Sequence, residues 1–172
     1  MNITFLVNTT GLTGGVKVVF IYANKLIEKG HKVQIVYPYN LTGEWSIKNI
    51  ALSFSKWAKY QLLRPFGKTG ADWFPLKAPV IRVPTLSKKW VPDADVVIAT
   101  ANETADWVEK LPIEKGDKFY FIQNYEHWTR DTKSVDATWK MPLKKIVIAT
   151  WMKEMAEKIK TSGANVVFCS II

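Results

Sequence analysis

The chain has 172 residues, 48% of them hydrophobic and 13% aromatic, which makes one ordinary domain with enough apolar surface for a real core and excludes a disordered chain. The single cysteine, Cys169, excludes an internal disulfide framework, fits a reducing compartment and, lying in an apolar run, reads as a core residue. Two histidines, His31 and His127, and no cysteine pair give no spacing for a protein-held zinc site, so no metal is expected.

The formal net charge of +9 is unevenly placed. Between Ser46 and Lys89, the basic residues Lys48, Lys56, Lys59, Arg64, Lys68, Lys77, Arg82, Lys88 and Lys89 stand against one acid, Asp72. Such a segment suits phosphates, whether in nucleic acid, an anionic membrane surface or a phosphorylated substrate. The N-terminus has no charged n-region followed by an apolar stretch, and no segment approaches the roughly 20 apolar residues that cross a bilayer. The expectation is a cytoplasmic protein, in which the Asn-x-Thr triplets at Asn2, Asn8, Asn40 and Asn102 are chance matches.

In chain order, Ile3 to Val7 reads as a buried strand, followed by the turn Asn8-Thr9-Thr10-Gly11-Leu12-Thr13-Gly14-Gly15. Val16, Val19, Phe20, Ala23 and Ile27 then recur as one helix face, and Gly30 stops the helix. Lys32 to Tyr37 is a second strand, so the opening is a β-α-β unit. A turn at Asn40 to Gly43 precedes an amphipathic helix from Ile47 to about Leu63. The stretch from Pro65 to Pro79 is broken by glycine and proline and carries Phe66, Trp73 and Phe74, which either cover the sheet edge or rest on a membrane surface. Val80 to Val83 is a short third strand.

Val96 to Ala99 has the continuous apolar character of a parallel strand buried on both faces. Thr100-Ala101-Asn102-Glu103 is a capping-box pattern opening a helix to about Leu111, with Ala101, Ala105 and Val108 inward. Phe119 to Ile122 is the next strand, running into the polar and aromatic cluster Gln123-Asn124-Tyr125-Glu126-His127-Trp128. Thr129 to Leu143 reads as a long, polar and only weakly helical connection. Ile146 to Ala149 is a strand, Thr150 caps a helix with Met152, Met155, Ala156 and Ile159 on one face, Gly163 closes it, and Val166 to Phe168 begins a last strand.

Strands alternating with helices predict an α/β fold: a Rossmann-like, doubly wound, mostly parallel sheet flanked by helices. Its C-terminal strand edge, where ligands of open sheets collect, gathers the turns at Asn8 to Gly15, Thr100 to Glu103 and Gln123 to Trp128, with Thr150 a fourth. The glycine turn does not match a dinucleotide fingerprint. Its second strand ends Val36-Tyr37-Pro38 without the acid that holds a ribose, and no Gly-Lys-Ser/Thr of a P-loop follows. Gly14 and Gly15 either let helix amides approach an anionic or sugar ligand or let the helix pack closely on the strand.

The opening MNITFLVNTTGLTGGVKVVFIYANKLIEKGHKVQIV resembles the start of a GT-B glycosyltransferase of the group 1 (family 4) kind. DADVVIATANETADWV and YFIQNYEHW resemble the middle of that family's N-terminal domain in members acting on polysaccharide or other glycoconjugates, and IVIATWMKEMAEK its final strand and helix. The resemblance implies the N-terminal, acceptor-side half of a two-domain retaining enzyme, inactive alone. A missing C-terminal domain would hold the nucleotide sugar with a basic residue and an E-x7-E pair that no stretch here matches. Gly14 and Gly15 match the family's glycine loop near the donor's phosphates or transferred sugar. Gln123 to His127 match a loop where the family often has a histidine beside the reacting centre, though Asn124, Tyr125 and Glu126 precede His127 here. Glu126 and His127 are the candidates at that centre; His127 reads equally well as a solvated surface residue.

Expected substrate-binding residues are Gly14, Gly15, Asn102, Glu103, Gln123, Asn124, Tyr125, Glu126 and Thr150, with Asn102 and Glu103 alternatively only capping their helix. The implied partners are a glycan or lipid-linked acceptor and, through the missing domain, a nucleotide sugar; no cofactor and no nucleic acid are expected. The basic aromatic segment adds peripheral contact with an inner membrane face. The competing reading is a non-catalytic Rossmann-like module binding a nucleotide or anion.

Overall fold

The computed structural model describes residues 1–40, 51–52, 55–56, 58–60, 62, 70–126, 130–159 and 166–168. The strands are β1 (Asn2–Leu6), β2 (Lys32–Pro38), β3 (Val80–Val83), β4 (Val96–Ala99), β5 (Asp117–Ile122), β6 (Lys144–Val147) and β7 (Val166–Phe168). The helices between them are α1 (Gly14–Glu28), α2 (Asn102–Lys110), α3 (Thr132–Lys140) and α4 (Thr150–Lys158), with a 3-10 turn at Ile113–Lys115. All strand pairs are parallel, in the order β3-β2-β1-β4-β5-β6-β7. This is a doubly wound, Rossmann-like sheet whose order reverses between β1 and β4.

Period-two alternation decides which residues meet which helix layer. Ile3, Phe5 and Val7 of the first strand and its exit pack with Val33, Ile35, Val96, Ile98 and Phe121 under Val16, Val19, Phe20 and Ala23 of α1. Leu6, Val36, Val97, Ala99, Tyr120 and Ile122 face the other way, against Ala105 and Val108 of α2, Val135 and Trp139 of α3, and Met152 and Ala156 of α4. The central strand β4 is buried along its whole length, as a strand covered on both faces must be.

α1 ends as its sequence requires. Gly30 has φ +87°, its N–H donates to Ile27 O at 2.9 Å, and His31 N donates to Leu26 O at 3.0 Å, the paired bonds of a Schellman turn. The 70–78 segment is a cover for α1. Trp73 stacks on Phe20 at 5.5 Å, Phe74 lies 5.7 Å from the same ring, and Asn24 Nδ2 donates to Pro75 O at 2.9 Å. Trp73 and Phe74 therefore serve the fold by covering α1. Trp90 is exposed, and Arg82 lies over the rings of Tyr37 and Tyr60.

Four expectations need correction. The Thr129 to Leu143 connection contains α3, whose inward residues Val135, Thr138 and Trp139 are too few and too poor in helix propensity to produce a clear apolar period. Its start is marked by Asp131, which accepts from Ser134 N at 3.1 Å and Ser134 Oγ at 2.5 Å. The sixth strand lies two residues earlier than the apolar run Ile146 to Ala149 because Lys144 and Lys145 are part of it. Lys144 pairs with Asp117 of β5 at 2.7 Å, while Lys145 is fully buried and donates to Met141 O at the C-terminus of α3.

The other two corrections concern helix caps. α2 is capped from within by Thr104, not by a Thr100–Glu103 box, and α4 starts after Ala149, with Thr150 its exposed first residue and no side-chain cap. The backbone is helical at 51–52, 55–56, 58–60 and 62, inside the helix expected from Ile47 to Leu63. The rest of that helix, with Arg64, lies outside the described residues, as do the Leu41 to Gly43 turn, Phe66, His127, Trp128, Gly163 and Cys169.

Candidate functional site

At the C-terminal edge of the sheet, where the strand order reverses, lies a cavity of about 540 Å³. Ligands of open α/β sheets collect at this position because neighbouring connections leave in opposite directions and open a crevice. One wall is Asn8, Thr9 and Thr13 to Val16; a second is Thr100 and Ala101 after β4; the third is Gln123, Asn124 and Glu126 after β5, with Ile148 beyond β6.

The first wall is held from below. Trp73 Nε1 donates to Thr10 O at 2.8 Å, and Thr9 Oγ1 accepts from Gly11 N at 3.1 Å. Thr13 is the N-cap of α1, its Oγ1 accepting from Val16 N at 3.2 Å. That leaves the amides of Gly14 and Gly15, the first two of the helix, without an intrahelical acceptor. Neither glycine has positive φ. A Cβ on Gly14 would meet nothing within 4 Å, and one on Gly15 only the Gln123 amide, at 3.6 to 3.9 Å. Close packing of helix on strand therefore does not require them. Their effect is to keep the positive end of α1 bare toward the cavity.

The second wall is built on Thr104, whose Oγ1 accepts from Thr100 N and Ala101 N, both at 2.9 Å. This hydroxyl turns the chain out of β4 and into α2, while Thr100 Oγ1 donates back to Leu6 O at 2.9 Å. Glu103 is thereby released from capping, and its Oε2 is buried with no hydrogen-bond partner. Asn102 does not cap either. Its side chain is buried and its Oδ1 accepts from Tyr120 OH at 2.7 Å and from Thr138 Oγ1 at 3.2 Å, tying α2 to β5 and α3.

On the third wall, Glu126 is partly buried and one carboxylate oxygen accepts from Asn102 N at 3.3 Å. Burial raises its pKa, the Asn102 N–H works against that rise, and the nearby Glu103 adds to it. Arg130 pairs with Asp106 at 2.6 Å, so the chain leaving β5 is pinned to α2 at two points. Burial also pushes the Tyr120 phenol far above its usual range.

Five of the expected binding residues, Gly14, Gly15, Gln123, Asn124 and Glu126, line the one cavity. Asn102, Glu103, Tyr125 and Thr150 do not. Tyr125 turns under α3, its hydroxyl donating to Asp136 Oδ1 at 2.6 Å and its ring 5.8 Å from Trp139. Asn8, Thr9, Thr13, Thr100, Ala101 and Ile148 also line the cavity. All but Ile148 lie in turns that the sequence marks; Ile148 was hidden by the displaced sixth strand.

Among the described residues no group of three or more His, Cys, Asp or Glu side chains is placed to hold a metal ion, and no helix is long and apolar enough to cross a membrane. No protein-family model, curated protein or solved structure matches the chain, so what it is rests on its doubly wound sheet and the cavity at the point where the strand order reverses.

Proposed function

We propose that the chain is the acceptor-side domain of a two-domain glycosyltransferase of the GT-B, group 1 kind. Sugar passes from a nucleotide-sugar donor to a glycan or lipid-linked acceptor, and the donor is held mainly by a second domain. One observation carries most of the weight: the amides of Gly14 and Gly15 stand open on the same cavity as Gln123 and Glu126. Donors of that kind suit a phosphate or sugar oxygen, and the polar groups opposite suit hydroxyls. Glu126 binds an acceptor hydroxyl in this reading. The lipid-linked form of the acceptor accords with exposed Lys56 and Lys59, which favour an anionic membrane surface.

The test is titration of the isotope-labelled chain with nucleotide sugars, the parent nucleotides and oligosaccharides, followed by amide chemical shifts. Saturable shifts at Gly14, Gly15, Gln123 and Glu126 that depend on the sugar are expected, with no turnover by this chain alone. No response to any nucleotide sugar or glycan overturns the proposal. The second reading, a non-catalytic nucleotide- or anion-binding module, is favoured by the same bare helix end. It predicts equal shifts from a nucleotide with and without its sugar.

A further inference from the structure

Gln123 leaves β5 into the cavity, and its amide lies along the first turn of α1, where a Cβ on Gly15 would stand 3.6 Å from Oε1. That oxygen is buried and receives no hydrogen bond. Leaving a buried acceptor without a donor costs about 1–3 kcal/mol, so such atoms need a reason to persist. No group of the cavity donates to it, the bare amides of Gly14 and Gly15 included. Thr100 gives its hydroxyl proton to Leu6 O, and Glu126, as a carboxylate, has none to give. An ionised phosphate cannot supply it either, whereas a hydroxyl can.

We propose that Gln123 is the specificity-determining residue of this cavity: its Oε1 receives a sugar hydroxyl, so that a glycosyl phosphate is held in preference to a phosphate ester without hydroxyls. The inference rests on the proposed function and adds which part of the ligand this domain reads. The sugar ring faces β5, and its charged end faces α1.

Binding of glucose 1-phosphate and of cyclohexyl phosphate, matched in charge and ring size, tests it by calorimetry or amide shifts. The wild-type chain should favour the sugar phosphate by about tenfold or more, the effect of one hydrogen bond. In Gln123→Leu the ratio should fall to near one; in Gln123→Glu, which keeps an acceptor, discrimination should survive. Equal affinity of the wild-type chain for both compounds overturns the inference, as does an unchanged ratio in Gln123→Leu. The wild-type comparison stands even if the variants fold poorly. Nucleotide-sugar binding without hydroxyl preference removes Gln123's role alone; no binding of any of these compounds removes the functional reading as well.

Discussion

The backbone N–H of Asn102 donates to the carboxylate of Glu126 at 3.3 Å, which sets an acidic side chain against the N-terminus of α2. Of the helix ends that follow β1 and β4, that of α2 is thus occupied by the protein's own carboxylate, and that of α1 is bare.

Glu126 should make stability depend on pH. Burial and Glu103 raise its folded-state pKa above the unfolded value, so the folded chain binds more protons in that window. The associated stability is present below the unfolded pKa and lost as pH rises through the folded one. Glu126→Gln should remove this slope and be at least as stable as wild type at neutral pH, read from urea unfolding across a pH series.

Lys145 gives the opposite slope. Burial pushes its pKa down to about 8, against about 10.4 in an unfolded chain, so the unfolded state binds more protons between those values and wild-type stability should rise with pH there. Lys145→Met should flatten that rise. Met141 O keeps its hydrogen bond from Leu143 N at 2.8 Å, so the variant should still fold.

Thr104 satisfies two backbone donors with one buried hydroxyl. Thr104→Val keeps the shape and removes the acceptor, and should cost about 2–4 kcal/mol in urea unfolding. A loss near zero would mean that another acceptor serves these amides.

Gly14→Ala should separate stability from function. The backbone is helical and the new methyl meets nothing, so stability should rise by about 0.5 kcal/mol, measured by thermal unfolding. The same methyl narrows the approach to the helix end, so phosphate-ester binding should weaken.

Gly116 behaves differently. At φ +106° with a Cβ only 2.6 Å from Ala94 O, it admits no side chain, and Gly116→Ala should destabilise the fold by about 2 kcal/mol or more, read from urea unfolding.

Much of the fold was legible because its signals are local. Val80–Val83, Val96–Ala99 and Val166–Phe168 coincide with the expected strands, since short runs rich in β-branched residues between turn signals have few other uses. The first helix was equally plain, its inward residues following a 3.6 period and its end fixed by Gly30. Local pattern failed where a partner distant in sequence decides the outcome. Lys144 and Lys145 lie outside the apolar run that marked the sixth strand, and they join it because Asp117 and Met141 O are brought beside them.

The sequence by itself determined the alternation of strands and helices, the turns at one sheet edge and the absence of a ribose-holding acid after β2, because these follow from side-chain period and backbone preference. Only the tertiary structure decided what those turns contain. Thr104 takes the cap that Glu103 was expected to share, Asn102 and Tyr125 turn inward to Tyr120 and Asp136, and Gln123 and Glu126 meet bare Gly14 and Gly15 across one cavity. Each of these depends on which hydrogen-bond partner lies nearest in space, and sequence spacing does not encode distance between strands that pair out of order.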